Sequence, residues 1–215
     1  MNNKTKKLLL IFFIFLPLII SIIALNYLPD RIPMHYNSNG EVNRWGSKYE
    51  LLFSSSIGII IGIINLLCIK YIKNKKNVKA FTAATIIIAL TMNVVTIAIL
   101  IPPLTHTTNI NATISSKLIF SSVGLSFVVL GNYMPKCKRN NYFGIRTKLT
   151  LSDDEIWFKT QRFGGKLFVG FGLILTIISF ILPVSILFWF IISSTLIIAI
   201  LAYAYPRRLI NERKK

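Results

Sequence analysis

The sequence predicts an all-α polytopic membrane protein: six transmembrane helices, N-in and C-in, with a small extracytoplasmic β-hairpin and a short cytoplasmic interfacial helix. Three observations predict it. Hydrophobic residues make up 53% of the 215 and charged residues only 15%, against about 25% charged in a soluble domain. The apolar residues gather in runs that match the ~20 residues a membrane-spanning helix needs. The 25 Lys and Arg, set against 7 Asp and Glu, collect in alternate loops.

The runs follow in order. Lys4, Lys6 and Lys7 precede an apolar stretch from Leu8 to Leu28. A basic start with an apolar core also describes a secretory signal. This run is too long for one, and Asn26-Tyr27-Leu28-Pro29 offers no small-residue cleavage site, so it is expected to stay as the first span. The second span is Leu51 to Ile69, and the third runs from Ala80 to Ile101, where Pro102-Pro103 is expected to stop the helix. The fourth lies between Leu118 and Met134. From Leu167 to Pro206 there are 40 residues without a charged side chain. As one helix they would extend ~60 Å, twice the hydrocarbon thickness, so they must cross twice. Pro183-Val184-Ser185 is the natural turn. This organisation divides the chain into 1–50 (first span and outer loop), 51–116 (spans two and three) and 117–215 (spans four to six).

Charge sets the orientation. Of the 25 cations, 21 fall at the N-terminus, in 70–79, in 136–166 and in 207–215, while only Arg31, Arg44, Lys48 and Lys117 fall on the other face. Positive residues concentrate on the cytoplasmic side, which puts both termini inside. In a soluble chain the net charge of +18 would suggest nucleic acid. Here orientation accounts for the excess, so no direct nucleic acid binding is expected, whereas attraction of the inner face to anionic lipids is. Cys68 and Cys137 fall near that reducing face, where a disulfide is not expected.

Between their flanks the spans carry no Asp, Glu, Lys, Arg or His. Ion-coupled carriers place an ionisable group in the bilayer, and its absence argues against one. Asn65 and Asn93 are expected to hydrogen-bond between helices, and the Gly58/Gly62 pair to bring helices close within the monomer.

Two loops carry specific information. In the outer loop Ile32, Met34 and Tyr36 alternate before Asn39-Gly40, a strong hairpin-turn signal, with Val42 and Trp45 after it. A hairpin follows, with Trp45 at the lipid headgroups. His35 near Asp30 and Glu41 makes too poor a ligand set for a metal. His106 has no visible partner. In the inner loop Ser152 and Glu155 have capping-box spacing, with Asp153 and Asp154 suited to a positive helix end. Glu155, Lys159 and Arg162 share one face, with Trp157 roughly opposite. This predicts a short helix lying on the inner surface with Trp157 in the interface, feeding the fifth span.

The outer stretch Leu28-Pro-Asp-Arg-Ile-Pro-Met-His-Tyr-Asn to Gly40 resembles a short bacterial domain of unknown function found after a first span. The inner stretch from Gly131 to Phe163, through Gly131-Asn132, Pro135-Lys136, Gly144-Ile-Arg-Thr147, Thr150-Leu151, Glu155-x-Trp157 and Arg162-Phe163, is similar to the signature of the SdpI family. That family comprises six-span immunity proteins against a sporulation-delaying peptide toxin. Where the family commonly reads Arg-Thr-Pro-Trp-Thr-Leu, this chain has Arg146-Thr147-Lys148-Leu149-Thr150-Leu151, losing a rigid turn and an aromatic anchor.

The resemblance implies immunity to a membrane-active peptide toxin at the bacterial plasma membrane, together with relay of toxin presence to a cytoplasmic repressor. Toxin contact is expected at Asp30, His35, Tyr36, Asn37, Gly40 and Trp45. The inner signalling surface is expected at Asn132, Gly144, Arg146, Thr147, Thr150, Glu155, Trp157 and Arg162. The alternatives are a small passive transporter, which needs a polar path, and a membrane enzyme. A catalyst needs a nucleophile with its base or a cluster of metal ligands. With 2 His placed outside and 2 Cys inside, neither can be assembled, so no enzyme activity, catalytic residue, metal or cofactor is expected. Oligomeric state is not encoded in any motif.

Overall fold

The computed structural model describes residues 3–37, 41–105 and 109–213. The order of elements is α1 (Asn3–Ala24), β1 (Arg31–Tyr36), β2 (Val42–Ser47), α2 (Glu50–Tyr71), α3 (Lys75–Thr105), α4 (Asn109–Tyr133), a single 3₁₀ turn (Met134–Lys136), α5 (Lys148–Ser152), α6 (Asp154–Ile181) and α7 (Val184–Arg213). Among the described residues, six of the helices are long and apolar enough to cross a membrane. The chain is a multi-pass membrane protein.

Helices α1, α2 and α3 pack on one another, α3 passes on to α4, α4 pairs with α6, and α7 lies on α6. Helix α3 is the most buried span and α7 the least. Apolar side chains such as Phe53, Ile181 and Trp189 point outward, at 74%, 71% and 65% exposure, as lipid-facing residues do.

Small residues make the closest crossings. Gly131 faces Gly165, and Gly124 faces Gly172, so the two helices run antiparallel with their backbones nearly touching. A Cβ on Gly165 would sit 2.7 Å from the Gly131 carbonyl oxygen. The Gly58/Gly62 pair works within the monomer, as expected: Gly58 lies against Met92 and Gly62 against Ile14. Asn93 crosses between helices, donating from Nδ2 to the Phe13 carbonyl at 2.9 Å. Asn65 differs from expectation, because its Nδ2 is spent on Ile61 of its own helix. Ser21 and Ser55 tie α1 to α2 through a 2.7 Å hydroxyl pair, and Thr91 and Ser126 tie α3 to α4 at 2.6 Å.

Three boundaries depart from the sequence reading. Pro102 and Pro103 do not stop the third span, since α3 continues to Thr105. In a last turn a missing N–H frees few carbonyls, and the Thr105 hydroxyl caps Ile101 O at 2.7 Å. Helix α4 starts well before Leu118, so Lys117 lies inside it and donates from Nζ to Phe180 O at 3.1 Å, near the end of α6. The expected surface helix is not separate: Asp154 to Ile181 is one helix of 28 residues. At 1.5 Å per residue this is ~42 Å, longer than the ~30 Å hydrocarbon core, so its first turns project beyond the bilayer or the helix tilts.

The expected hairpin is present as an antiparallel pair, β1 with β2. Its turn at Asn39-Gly40 lies outside the described residues, as does His106. Ile32, fully buried, pins the hairpin to the bundle by joining a cluster with Ala24, Leu28, Leu51 and Leu100.

Candidate functional site

Polar chemistry concentrates at the two ends of the bundle. At the hairpin end, Asn37 accepts from Glu41 N at 2.9 Å through Oδ1 and donates from Nδ2 to Glu41 Oε2 at 2.8 Å, bracing the strands. His35 Nδ1 meets Asn43 Oδ1 at 2.6 Å. Asp30 holds Lys48 at 3.2 Å while its own side chain stays 95% exposed. Trp45 pairs with Pro33 across the strands and is about half exposed. Gly40 lies outside the described residues.

Beneath this hairpin lies a crevice of about 500 Å³. Pro33 to Asn37 roof it, while α3, α4 and the start of α7 supply Ile99, Ser115, Phe120 and Phe188 among its walls. Two hydroxyls of its lining residues, Tyr36 Oη and Ser115 Oγ, are buried with no hydrogen-bond partner among the described residues. Burial pushes the Tyr36 phenol above its ordinary pKa, so it remains a donor. An unsatisfied buried hydroxyl costs about 1–3 kcal/mol, which a ligand offering acceptors recovers. Of the expected contact residues, the structure therefore brings His35, Tyr36 and Asn37 together at one crevice and leaves Asp30 and Trp45 outside its lining.

At the opposite, basic end, the expected signature residues separate into two groups. Gly144, Thr147, Thr150 and Trp157 build the loop. Gly144 has φ +100°, a backbone region that disfavours side chains. Thr147 and Thr150 form the capping box, with Thr147 N donating to Thr150 Oγ1 at 2.8 Å and Thr150 N to Thr147 Oγ1 at 3.2 Å. This replaces the box expected at Ser152 and Glu155. There Asp153 is the cap, its Oδ1 accepting from Glu155 N and Ile156 N, both at 2.8 Å. Trp157 is not in the membrane interface: it is 2% exposed and donates from Nε1 to Cys137 O at 3.0 Å. Turning Trp157 inward satisfies its N–H and buries a large apolar area, which a headgroup position would do less well.

The second group lies at the surface. Asn132 accepts from Lys136 Nζ at 3.2 Å. Arg146 donates to Asn141 O. Glu155 pairs with Lys159 at 2.7 Å and with Arg213. Arg162 is exposed.

Sequence reasoning missed the residue at the centre of this loop. Gln161, fully buried, accepts from Ile145 N at 2.9 Å and donates to Ile145 O at 2.9 Å, mimicking a strand partner. Its signal was its position four residues after Trp157, on the same helix face, with Gly164 a further turn along. Asn77, at the start of α3, carries no motif either; its Oδ1 accepts from Lys138 N at 2.8 Å and fastens the loop to the first three helices of the bundle. Cys68 and Cys137 are free thiols, and burial pushes Cys137 up to about 11. Among the described residues no cluster of His, Cys, Asp or Glu could hold a metal.

Asp153 also joins the C-terminus to the loop. Its Oδ2 takes Arg213 Nη1 at 2.8 Å, and that guanidinium first, with the Ile156 N–H next, lowers the carboxyl to about 2. A depressed carboxylate stabilises above its unfolded pKa, near 3.9, and loses that contribution as pH falls through the folded value. Hydrogen exchange in the last turn of α7, taken relative to the intrinsic amide rate at each pH, is therefore expected to be flat from pH 7 to about 4 and to rise between about 4 and 2. Asp153→Asn should raise it at neutral pH and flatten the profile. An unchanged profile in that variant would contradict the clasp.

Comparison with known proteins agrees with this architecture. Residues 136–205 match the SdpI/YfhL protein family, and residues 12–59 match a domain of unknown function, DUF1648. The chain is 24% identical over 211 residues to the immunity protein SdpI of Bacillus subtilis (strain 168), covering 97% of this chain and 99% of that protein. No solved structure matches significantly. With six spans of membrane length among the described residues and that similarity, this is a multi-pass plasma membrane protein, and its two loops lie in or beside the stretches that match the SdpI/YfhL family and DUF1648, the resemblances expected of them.

Proposed function

We propose that the protein is a membrane immunity protein that binds a membrane-active peptide toxin at the crevice under the hairpin. The observation that carries this reading is the similarity to an immunity protein along 97% of the chain. The crevice adds the chemistry: an apolar chamber of about 500 Å³ whose two unpartnered hydroxyls suit the carbonyls of a hydrophobic peptide. Such a role is binding, not catalysis. The charge distribution supports placing the hairpin outside and both termini in the cytoplasm, so that the toxin meets the crevice first.

The finer role is relay. The exposed Arg146, Glu155 and Arg162 at the basic end are the surface we assign to a cytoplasmic repressor. Replacing all three by Ala is expected to abolish repressor recruitment while leaving protection intact.

The test is expression in a strain killed by a related peptide toxin. Colony survival at a lethal dose is expected to be restored by the parent chain. Ser116→Trp, which fills the crevice from a half-buried position, should lose protection at an unchanged membrane level. Failure of the parent against every related toxin would overturn the reading.

A further inference from the structure

We propose that the basic end holds a site for the phosphate headgroup of an anionic phospholipid, independent of the crevice and of the toxin. A groove of about 710 Å³ opens there between the first turn of α3, the 3₁₀ turn with the loop after it, and the start of α6. Lys76, Lys79, Lys136, Lys138 and Arg139 line it, and Asp154 is the only acid among its lining residues. Asp154 is already taken by Arg139 Nε at 3.0 Å. Lys136 is held between Asn132 Oδ1 and the ring of Tyr133, its Nζ 4.9 Å from the centroid. The ammonium groups of Lys76, Lys79 and Lys138 have no hydrogen-bond acceptor and no carboxylate partner among the described residues. Five cations thus converge on one groove with one spent acid between them, an arrangement that repels itself until an anion enters.

The groove also has apolar lining. Tyr133, Pro135, Cys137, Trp157 and Phe158 complete its lining, and Phe158 is about half exposed. A free inorganic anion has no use for that surface, whereas an amphiphile sets its phosphate among the lysines and its glycerol and first methylenes against the rings. Basic pockets between membrane helices are the known setting for such headgroups. The site is held in shape independently of any ligand. Asn77, 4% exposed, fixes Lys138 N, and Trp157 fixes Cys137 O, so α3 and α6 position the loop cations.

The experiment is native mass spectrometry of the purified full chain, titrated with phosphatidylglycerol or phosphatidylcholine. Retention of phosphatidylglycerol over phosphatidylcholine is expected. The triple variant Lys76→Gln, Lys79→Gln, Lys138→Gln, all at exposed positions, should weaken that retention by about a hundredfold. The triple Arg replacement should keep it. A charge-matched control at the same end but off the groove, Lys70→Gln, Lys166→Gln, Arg207→Gln, should change it little. Equal loss in the control and the groove variant would reduce the site to diffuse attraction and overturn the proposal. Displacement of the lipid by equimolar inorganic phosphate would assign the groove to a free anion instead. Displacement by an equimolar acidic peptide would assign it to a protein partner, and either result would overturn the lipid. Helicity by circular dichroism, unchanged in the glutamine variant, separates loss of the site from loss of the fold.

Discussion

Gln161→Ala is expected to lower the stability of the purified protein by about 1–3 kcal/mol, because it strands the backbone N–H of Ile145. Ile145 O keeps the Thr150 hydroxyl at 3.0 Å, but Ile145 N loses its side-chain acceptor, and position 161 is fully buried, so water does not readily replace the amide. Gly144→Ala is expected to cost about 1–2 kcal/mol from its positive φ alone, and more because the new methyl runs into Gln161 Oε1. The two changes should not add. With the Gln161 amide gone the methyl has room, so the double variant should be less destabilised than the sum of the singles. Thermal unfolding in detergent reads all three. Strict additivity would mean that Gly144 is required by its dihedral angle only, and the contact with Gln161 is incidental.

The second large effect belongs to Trp157. Trp157→Ala removes a side chain that is 2% exposed and is expected to cost about 3–5 kcal/mol. Trp157→Phe keeps most of the packing and leaves Cys137 O without its 3.0 Å donor, for about 1–2 kcal/mol. A chemical readout accompanies these losses. Cys137 is 4% exposed with its thiol pushed up to about 11, so at pH 7.5 it should resist maleimide. In a Cys68→Ser background, Trp157→Ala should make Cys137 label rapidly. If Cys137 stayed protected, Trp157 would not be what closes the loop over it.

These positions also show where the sequence was readable. The spans, the hairpin and the two information-dense loops follow from length, charge sorting and turn residues, which are local properties. Trp157 was misplaced for a physical reason: helical spacing puts it opposite Glu155 correctly, but cannot say whether that face meets lipid or protein. It meets Cys137 O, 20 residues earlier in the chain. Gln161 failed to register because a lone glutamine carries no motif, and its role exists only once Gly144 turns the chain back onto it. Asp153 outcompeted Ser152 as a cap because its two oxygens serve both the α6 backbone and Arg213, 60 residues away. The crevice was half legible. Its hairpin roof was named in advance, whereas Ser115 and Phe120 lie on a helix whose start was set too late.

Binding of the toxin under the hairpin is tested most directly by photo-cross-linking in living cells. A photoreactive phenylalanine analogue replaces Phe120, which lines the crevice, or Phe53, which is 74% exposed on the lipid side of α2. The account predicts a covalent adduct with the peptide toxin at position 120 and none above background at position 53. Equal adducts at both positions, or none at 120 in cells that still survive the toxin, would contradict it.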